Sequence, residues 1–272
     1  MKKLSVILSV LFSAILITGC SQSSSNDNQG SSSAAQQSSS SQADSSQTSS
    51  SASSNSGSPS SSTASIKTGT PEQVLKDVRT SLKNHNEVLL PRALTVEKGK
   101  YASATVNETS SGYTVSFKQT GQPVKINDSS LGAAQTLATL KSTTYASSSE
   151  AAKQISFHKY GKSDGSSVNL GHKITGYADA GAGTAGISWN EGRWTLMALS
   201  PTSDASKGIV LAKKVVSYLE IHSLPIPHQY GTIQVYTDSR QNYVMWQEGK
   251  TIYELTGIND PLKLLSIAVL MK

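Results

Sequence analysis

The chain has a single cysteine, Cys20, among 272 residues. One thiol closes no disulfide within the chain and builds no cysteine cage for a metal, so the fold has to be held by packing. The one long apolar run, Leu4 to Ile17, stops short of the about 20 residues that a spanning helix needs. Charged residues make up only 15 % of the chain and aromatics 6 %. The formal net charge is +6, yet no run of five basic residues occurs and Lys213–Lys214 is only a pair. That distribution reads as a solvated basic surface, with no nucleic-acid partner expected. HExxH is absent, and no SxxK comes with its supporting motifs. Nothing therefore calls for a cofactor, and the usual constellations of nucleophilic or zinc catalysis are missing.

What is present begins at the N-terminus. Lys2 and Lys3 precede the apolar run, and Ile17-Thr18-Gly19 leads directly into Cys20. This segment resembles the signal and lipobox of bacterial lipoproteins. The resemblance implies cleavage between Gly19 and Cys20, and a diacylglyceryl group on Cys20 that anchors the mature chain to the extracytoplasmic face of the cell membrane. One acyl chain holds a protein only marginally, whereas two long chains make attachment stable.

Composition divides the chain into a signal peptide (1–19), the lipidated cysteine with a Ser-rich tether (20–66) and one folded domain (67–272). The tether has no aromatic residue, almost nothing apolar larger than alanine, and only Asp27 and Asp44 as charges. Such a segment cannot offset the entropy of ordering itself. As a coil it would span roughly 35–40 Å, which keeps the domain near the membrane. Setting aside Lys2, Lys3, Asp27 and Asp44 leaves the net charge at +6, so the domain itself is basic. Phospholipid headgroups and anionic wall polymers are then the polyanions within its reach, and envelope proteins are the other candidate partners.

Within the domain, Thr70-Pro71-Glu72-Gln73 marks a helix start. Tyr101–Glu108 and Tyr113–Gln119 form a predicted hairpin, followed by a strand near Val124–Ile126, a helix through Leu131, Leu137 and Leu140, and a short helix over Glu150–Ile155. A strand over Val168–Tyr177 would turn His172 to the same side as Val168, Leu170 and Ile174. Trp189-Asn190-Glu191-Gly192 and Trp246-Gln247-Glu248-Gly249 both have the form of hairpin turns, and each is followed by an amphipathic or apolar helix. The expected architecture is α+β: an antiparallel sheet of hairpins covered by helices, with two pseudo-repeated hairpin-helix units in the C-terminal half.

Several candidate sites follow. Gly181-Ala182-Gly183-Thr184-Ala185-Gly186 matches GxGxxG, but no helix opens at its last glycine, so it is predicted to be a flexible loop that borders a cleft. His172 could act as a base oriented by Asp179 or Glu191, or be a hydrogen-bonded structural residue. His222 and His228 flank Leu224-Pro225-Ile226-Pro227 without metal-ligand spacing, and no metal site is expected. Glu191 and Glu248 form the one suggestive carboxylate pair, although turn positions suit surface chemistry better. Trp189, Trp194 and Trp246, with Tyr243 and Tyr253, would supply an aromatic surface for a ligand or partner, or else pack the core of a sheet.

The expected function is that of a membrane-anchored envelope lipoprotein whose domain binds without catalysis. One alternative is a carrier or sensor of an apolar ligand, because a Trp-x-x-Gly hairpin followed by a helix is similar to bacterial lipoprotein carrier and periplasmic sensor domains. That reading requires an apolar cavity lined by residues such as Trp189 and Leu196. The other is a wall-acting hydrolase, which requires His172 beside a carboxylate in an open cleft.

Overall fold

A computed structural model describes residues 68–85 and 87–271, and the signal, Gly19, Cys20 and the tether lie outside the described residues. The first helix, α1 (Pro71–Ser81), starts as its sequence demands: the Thr70 hydroxyl accepts the Gln73 N–H at 3.2 Å, with proline at the first helical position. Its Val74 and Val78 are buried. Strands β1 (Tyr101–Thr109) and β2 (Gly112–Thr120) form the predicted hairpin, with Glu108 opposite Tyr113. They are followed by β3 (Gln135–Thr144) and the short helix α2 (Ser148–Ala152). Four strands then run in succession: β4 (Ser166–Gly171), β5 (Ile174–Gly181), β6 (Thr184–Glu191) and β7 (Trp194–Pro201). Helix α3 (Ala205–Leu219), strands β8 (Gly231–Tyr236), β9 (Tyr243–Glu248) and β10 (Thr251–Thr256), and helix α4 (Pro261–Ala268) follow.

All ten strands join one sheet in the order β1-β2-β3-β10-β9-β8-β7-β6-β5-β4. Every neighbouring pair is antiparallel except β7 and β8, which run parallel. A parallel pair needs a long crossover, and α3 with the link over residues 220–230 supplies it. The protein is thus α+β with a mostly antiparallel sheet and few helices.

Alternation divides the sheet into two faces. Val115, Phe117, Leu140, Leu196, Ile233, Val244 and Leu255 turn to one side, where they form a single core with Val78 of α1, Leu211 and Val215 of α3, and Leu264 and Leu265 of α4. Tyr113 belongs to this face as well. Its hydroxyl donates to the Leu89 carbonyl and accepts the Leu89 N–H, both at 3.0 Å, which pins the extended segment after α1. Burial pushes the Tyr113 hydroxyl up to about 12. On the opposite face, Ile252 packs with Ala151 and Ile155 in a second, smaller cluster. Among the described residues no helix is long and apolar enough to cross a membrane.

Four expectations change. The region of Leu131, Leu137 and Leu140 is a 3-10 turn (Ser129–Ala133) followed by β3, with no α-helix. The spacing of the leucines fits a helix, but Ala138 and Leu140 fill alternate positions against Phe117 and Val115 of β2. No strand forms at 124–126. The single strand predicted over 168–177 is broken at His172 and Lys173, which take φ of 48° and 65° and turn the chain from β4 into β5. The predicted flexible loop at 181–186 is a tight turn at Ala182–Gly183 between β5 and β6.

Candidate functional site

Residues 145–165 cross the sheet face that the helices leave uncovered, and polar side chains of that face hold them. At one end the Gln247 amide donates to the Ser148 carbonyl at 2.7 Å, beside the cluster of Ile252, Ala151 and Ile155. At the other, Asn190 accepts the Tyr160 N–H and donates to the His158 carbonyl, both at 2.8 Å. The Thr195 hydroxyl lies 2.9 Å from the same carbonyl and also accepts the His158 N–H. The strap then closes on itself. Asp164 accepts the Gly161 N–H at 2.7 Å and lies 2.8 Å from His158 Nε2. These two contacts, the backbone bond first, hold the Asp164 carboxyl below the ordinary carboxylate range, so it is ionised at neutral pH.

Between strap and sheet lies a groove of about 660 Å³. Its floor is made by Asp179 and Gly181 of β5, Thr184, Gly186 and Ser188 of β6, and Leu199 of β7; its wall by Tyr160, Ser163, Asp164 and Gly165. The glycines explain the depression. Gly186 stands beside Leu199 in the ladder, and a Cβ there would come within 2.9 Å of the leucine side chain. Beyond the rim, Arg240 grips both oxygens of Asp238 and reaches the Thr184 hydroxyl at 3.2 Å.

A second cleft, of about 410 Å³, opens at the end of the sheet where α3 finishes. Trp194, Leu219, Leu224, Pro225 and Ile226 make it mainly apolar, with Glu191 and Arg193 at its polar side. Arg193 donates to the Pro227 and His228 carbonyls, and Trp194 Nε1 to the Pro225 carbonyl, which fixes the proline-rich link. Gly231 stands opposite Trp194 because a Cβ would lie 2.6 Å from the indole. Ile221 and Ile226 project beside the cleft, 80 % and 82 % exposed.

The sequence-predicted residues separate. Trp189 and Trp246 are fully buried, so neither contributes to a ligand or partner surface; both face the core and donate Nε1 to the glutamate two residues on, Glu191 at 2.8 Å and Glu248 at 3.1 Å. Trp194, 5 % exposed, borders the apolar cleft from its buried side. His172 does not face inward. It stands exposed in the β4–β5 turn with Nδ1 3.7 Å from Glu220, in place of the predicted Asp179 or Glu191. His222 Nδ1 is 2.8 Å from the Tyr218 carbonyl and its ring stacks on Tyr218. Among the described residues no group of three or more His, Cys, Asp or Glu is arranged to hold a metal ion. Burial raises the Glu191 carboxyl above the ordinary glutamate value, against the indole bond that lowers it.

Sequence reasoning passed over Tyr160, Asp164 and Ser188, and singled out Asp179 only as a partner for His172. Their signal was the run of small residues at alternating positions 184, 186 and 188, a strand face left without large side chains. No family model, curated protein or solved structure matches the chain.

Proposed function

We propose that the protein is a lipid-anchored lipoprotein of the bacterial cell envelope, held at the extracytoplasmic face of the membrane, whose domain binds its partner non-catalytically through its surface. The observation that carries this reading is the run Lys2–Lys3, Leu4–Ile17, Gly19 and Cys20 ahead of the Ser-rich tether. The open groove under the strap, set on a core already filled by Trp189 and Trp246, supports binding at the surface over uptake into the interior. The excess of basic residues favours a position against phospholipid headgroups or anionic wall polymers. Fractionation tests it: Cys20→Ala is expected to release the protein from membranes or leave its signal uncleaved, and unchanged processing with unchanged attachment would sink the reading.

We also read β6–β7–α3 and β9–β10–α4 as two copies of one hairpin-helix unit. The support is the same tryptophan-to-glutamate bond in each turn, closed by Gly192 and Gly249 at φ of 58° and 57°.

One observation favours the apolar-ligand reading: the cleft of Trp194, Leu219, Leu224 and Ile226 is shaped for an aliphatic group at its surface. The hydrolase reading has less support, since Glu191 and Glu248 each serve a tryptophan and His172 pairs with Glu220 at an exposed turn.

A further inference from the structure

We propose that the groove between the strap and strands β5–β7 binds a segment of glycan chain built of neutral or amino sugars. This rests on the reading of the domain as a surface-binding module and adds the class of its ligand. Three features of the lining point the same way. Tyr160 offers the groove an aromatic ring, and such rings take the C–H faces of pyranoses. The hydroxyls of Ser163, Thr184 and Ser188 and the carboxylates of Asp164 and Asp179 are acceptors and donors suited to sugar hydroxyls. Gly181 leaves main chain uncovered, with no heavy atom within 4 Å of where a Cβ would stand, so a flat, extended ligand can lie close to it.

Charge narrows the choice. In a chain of net charge +6, the only Asp, Glu, Lys or Arg side chains lining this groove among the described residues are two aspartates. The Asp179 carboxylate has no hydrogen-bond or ion-pair partner among the described residues, and Arg240, beyond the rim, is neutralised by Asp238. A phosphate-rich polymer would be repelled there, whereas a neutral sugar gains strong acceptors and an amino sugar gains counter-charges as well. The wall is also built in advance. Asn190, Thr195 and the Gly161–Asp164 bond fix the strap before any ligand arrives, which lowers the ordering cost of binding. The volume of about 660 Å³ falls within the range of small-molecule sites, about 300–1,000 Å³.

The test is calorimetric titration of the full-length chain, in a sugar-free detergent, with tetrameric N-acetylglucosamine, its de-N-acetylated tetramer and polyglycerol phosphate. Binding of one or both tetramers is expected, and tighter binding of polyglycerol phosphate would overturn the proposal. Asp179→Asn is expected to weaken binding about tenfold, the loss of roughly one charge-assisted hydrogen bond. Gly181→Val projects a side chain into the groove from a Cβ with no heavy atom within 4 Å. It should abolish binding while the unfolding temperature is kept. Undiminished binding by both variants would overturn the proposal. Retention on isolated cell walls separates the two levels. If Gly181→Val lost retention while neither tetramer bound the parent chain, the groove would stand as the contact surface and the glycan would fall. If neither variant changed retention and no tetramer bound, both would fall.

Discussion

The turns after β6 and β9 carry the same four-residue pattern and differ in what their second residue does. In both, a buried indole donates to the glutamate two positions on, and a glycine with positive φ closes the turn. Between tryptophan and glutamate the side chain points to the uncovered face. Asn190 there makes contacts with Tyr160, His158, Trp194 and Thr195, whereas Gln247 donates to Ser148 and to Gly249 of its own turn. The oxygen of Gln247 is left without a partner. One turn fixes the wall of a groove and the other fastens the start of a strap. The same core device thus serves two outer tasks, because a strand separates what its odd and even positions are asked to do.

The largest effect should come from breaking what the turns share. Trp189→Ala and Trp246→Ala each remove a fully buried ring, and each is expected to destabilise the domain by about 3–5 kcal/mol in denaturant unfolding. A cost below 1 kcal/mol at either site would contradict the core placement. Next come the residues in which the turns differ. Asn190→Ala leaves the Tyr160 N–H and the His158 carbonyl short of partners and should cost about 2–3 kcal/mol; Gln247→Ala should cost about 1 kcal/mol. Hydrogen exchange at residues 157–164 should rise for the first variant and much less for the second.

The smallest effect concerns charge. Burial raises Glu191, so its ionisation opposes folding: the stability of the neutral form is complete below the ordinary glutamate value of 4.5 and is lost as pH rises through the higher folded value. Glu191→Gln should therefore melt higher than the parent near pH 7, with a gap that closes as pH falls below that range. Glu248→Gln controls for loss of a carboxylate at the matching turn. A gap at Glu191 that widened toward acid would reverse the assigned cause.

Much of the fold was legible wherever a local rule agreed with the tertiary structure. Thr70–Pro71 announced α1, and the apolar helix expected after the second turn is α4, where the Asp260 carboxylate accepts the Leu262 and Lys263 N–H groups as a cap should. The alternation of Tyr113, Val115 and Phe117 announced β2. Legibility failed where neighbours distant in sequence decide. β3 is flanked by β2 and by β10, and that pairing overrides leucines spaced for a helix. His172 and Lys173 hold a left-handed turn that glycine or asparagine would ordinarily mark. Of the residues singled out for a site, Trp194 borders a cleft, while Trp189 and Trp246 obeyed the commoner rule that large rings at strand spacing pack inward. The groove was legible on one side only: Gly181–Gly186 was expected to border a cleft and lines it, whereas the strap that walls the other side is announced by no periodicity.

The seam between β3 and β10 brings the Thr144 and Thr251 hydroxyls within 3.0 Å across a separation of 107 residues. A polypeptide delivered N-terminus first has to wait for that partner. Its first three strands present a bare edge until residues 251–256 arrive, and only then can the ten strands become one sheet. Such distant pairing sets a slow pace for folding. Under the proposed export of the chain as an extended thread, the delay would be useful, since premature closure would block its passage. It also leaves the β3 edge as the place where an interrupted or truncated copy would stick to its neighbours.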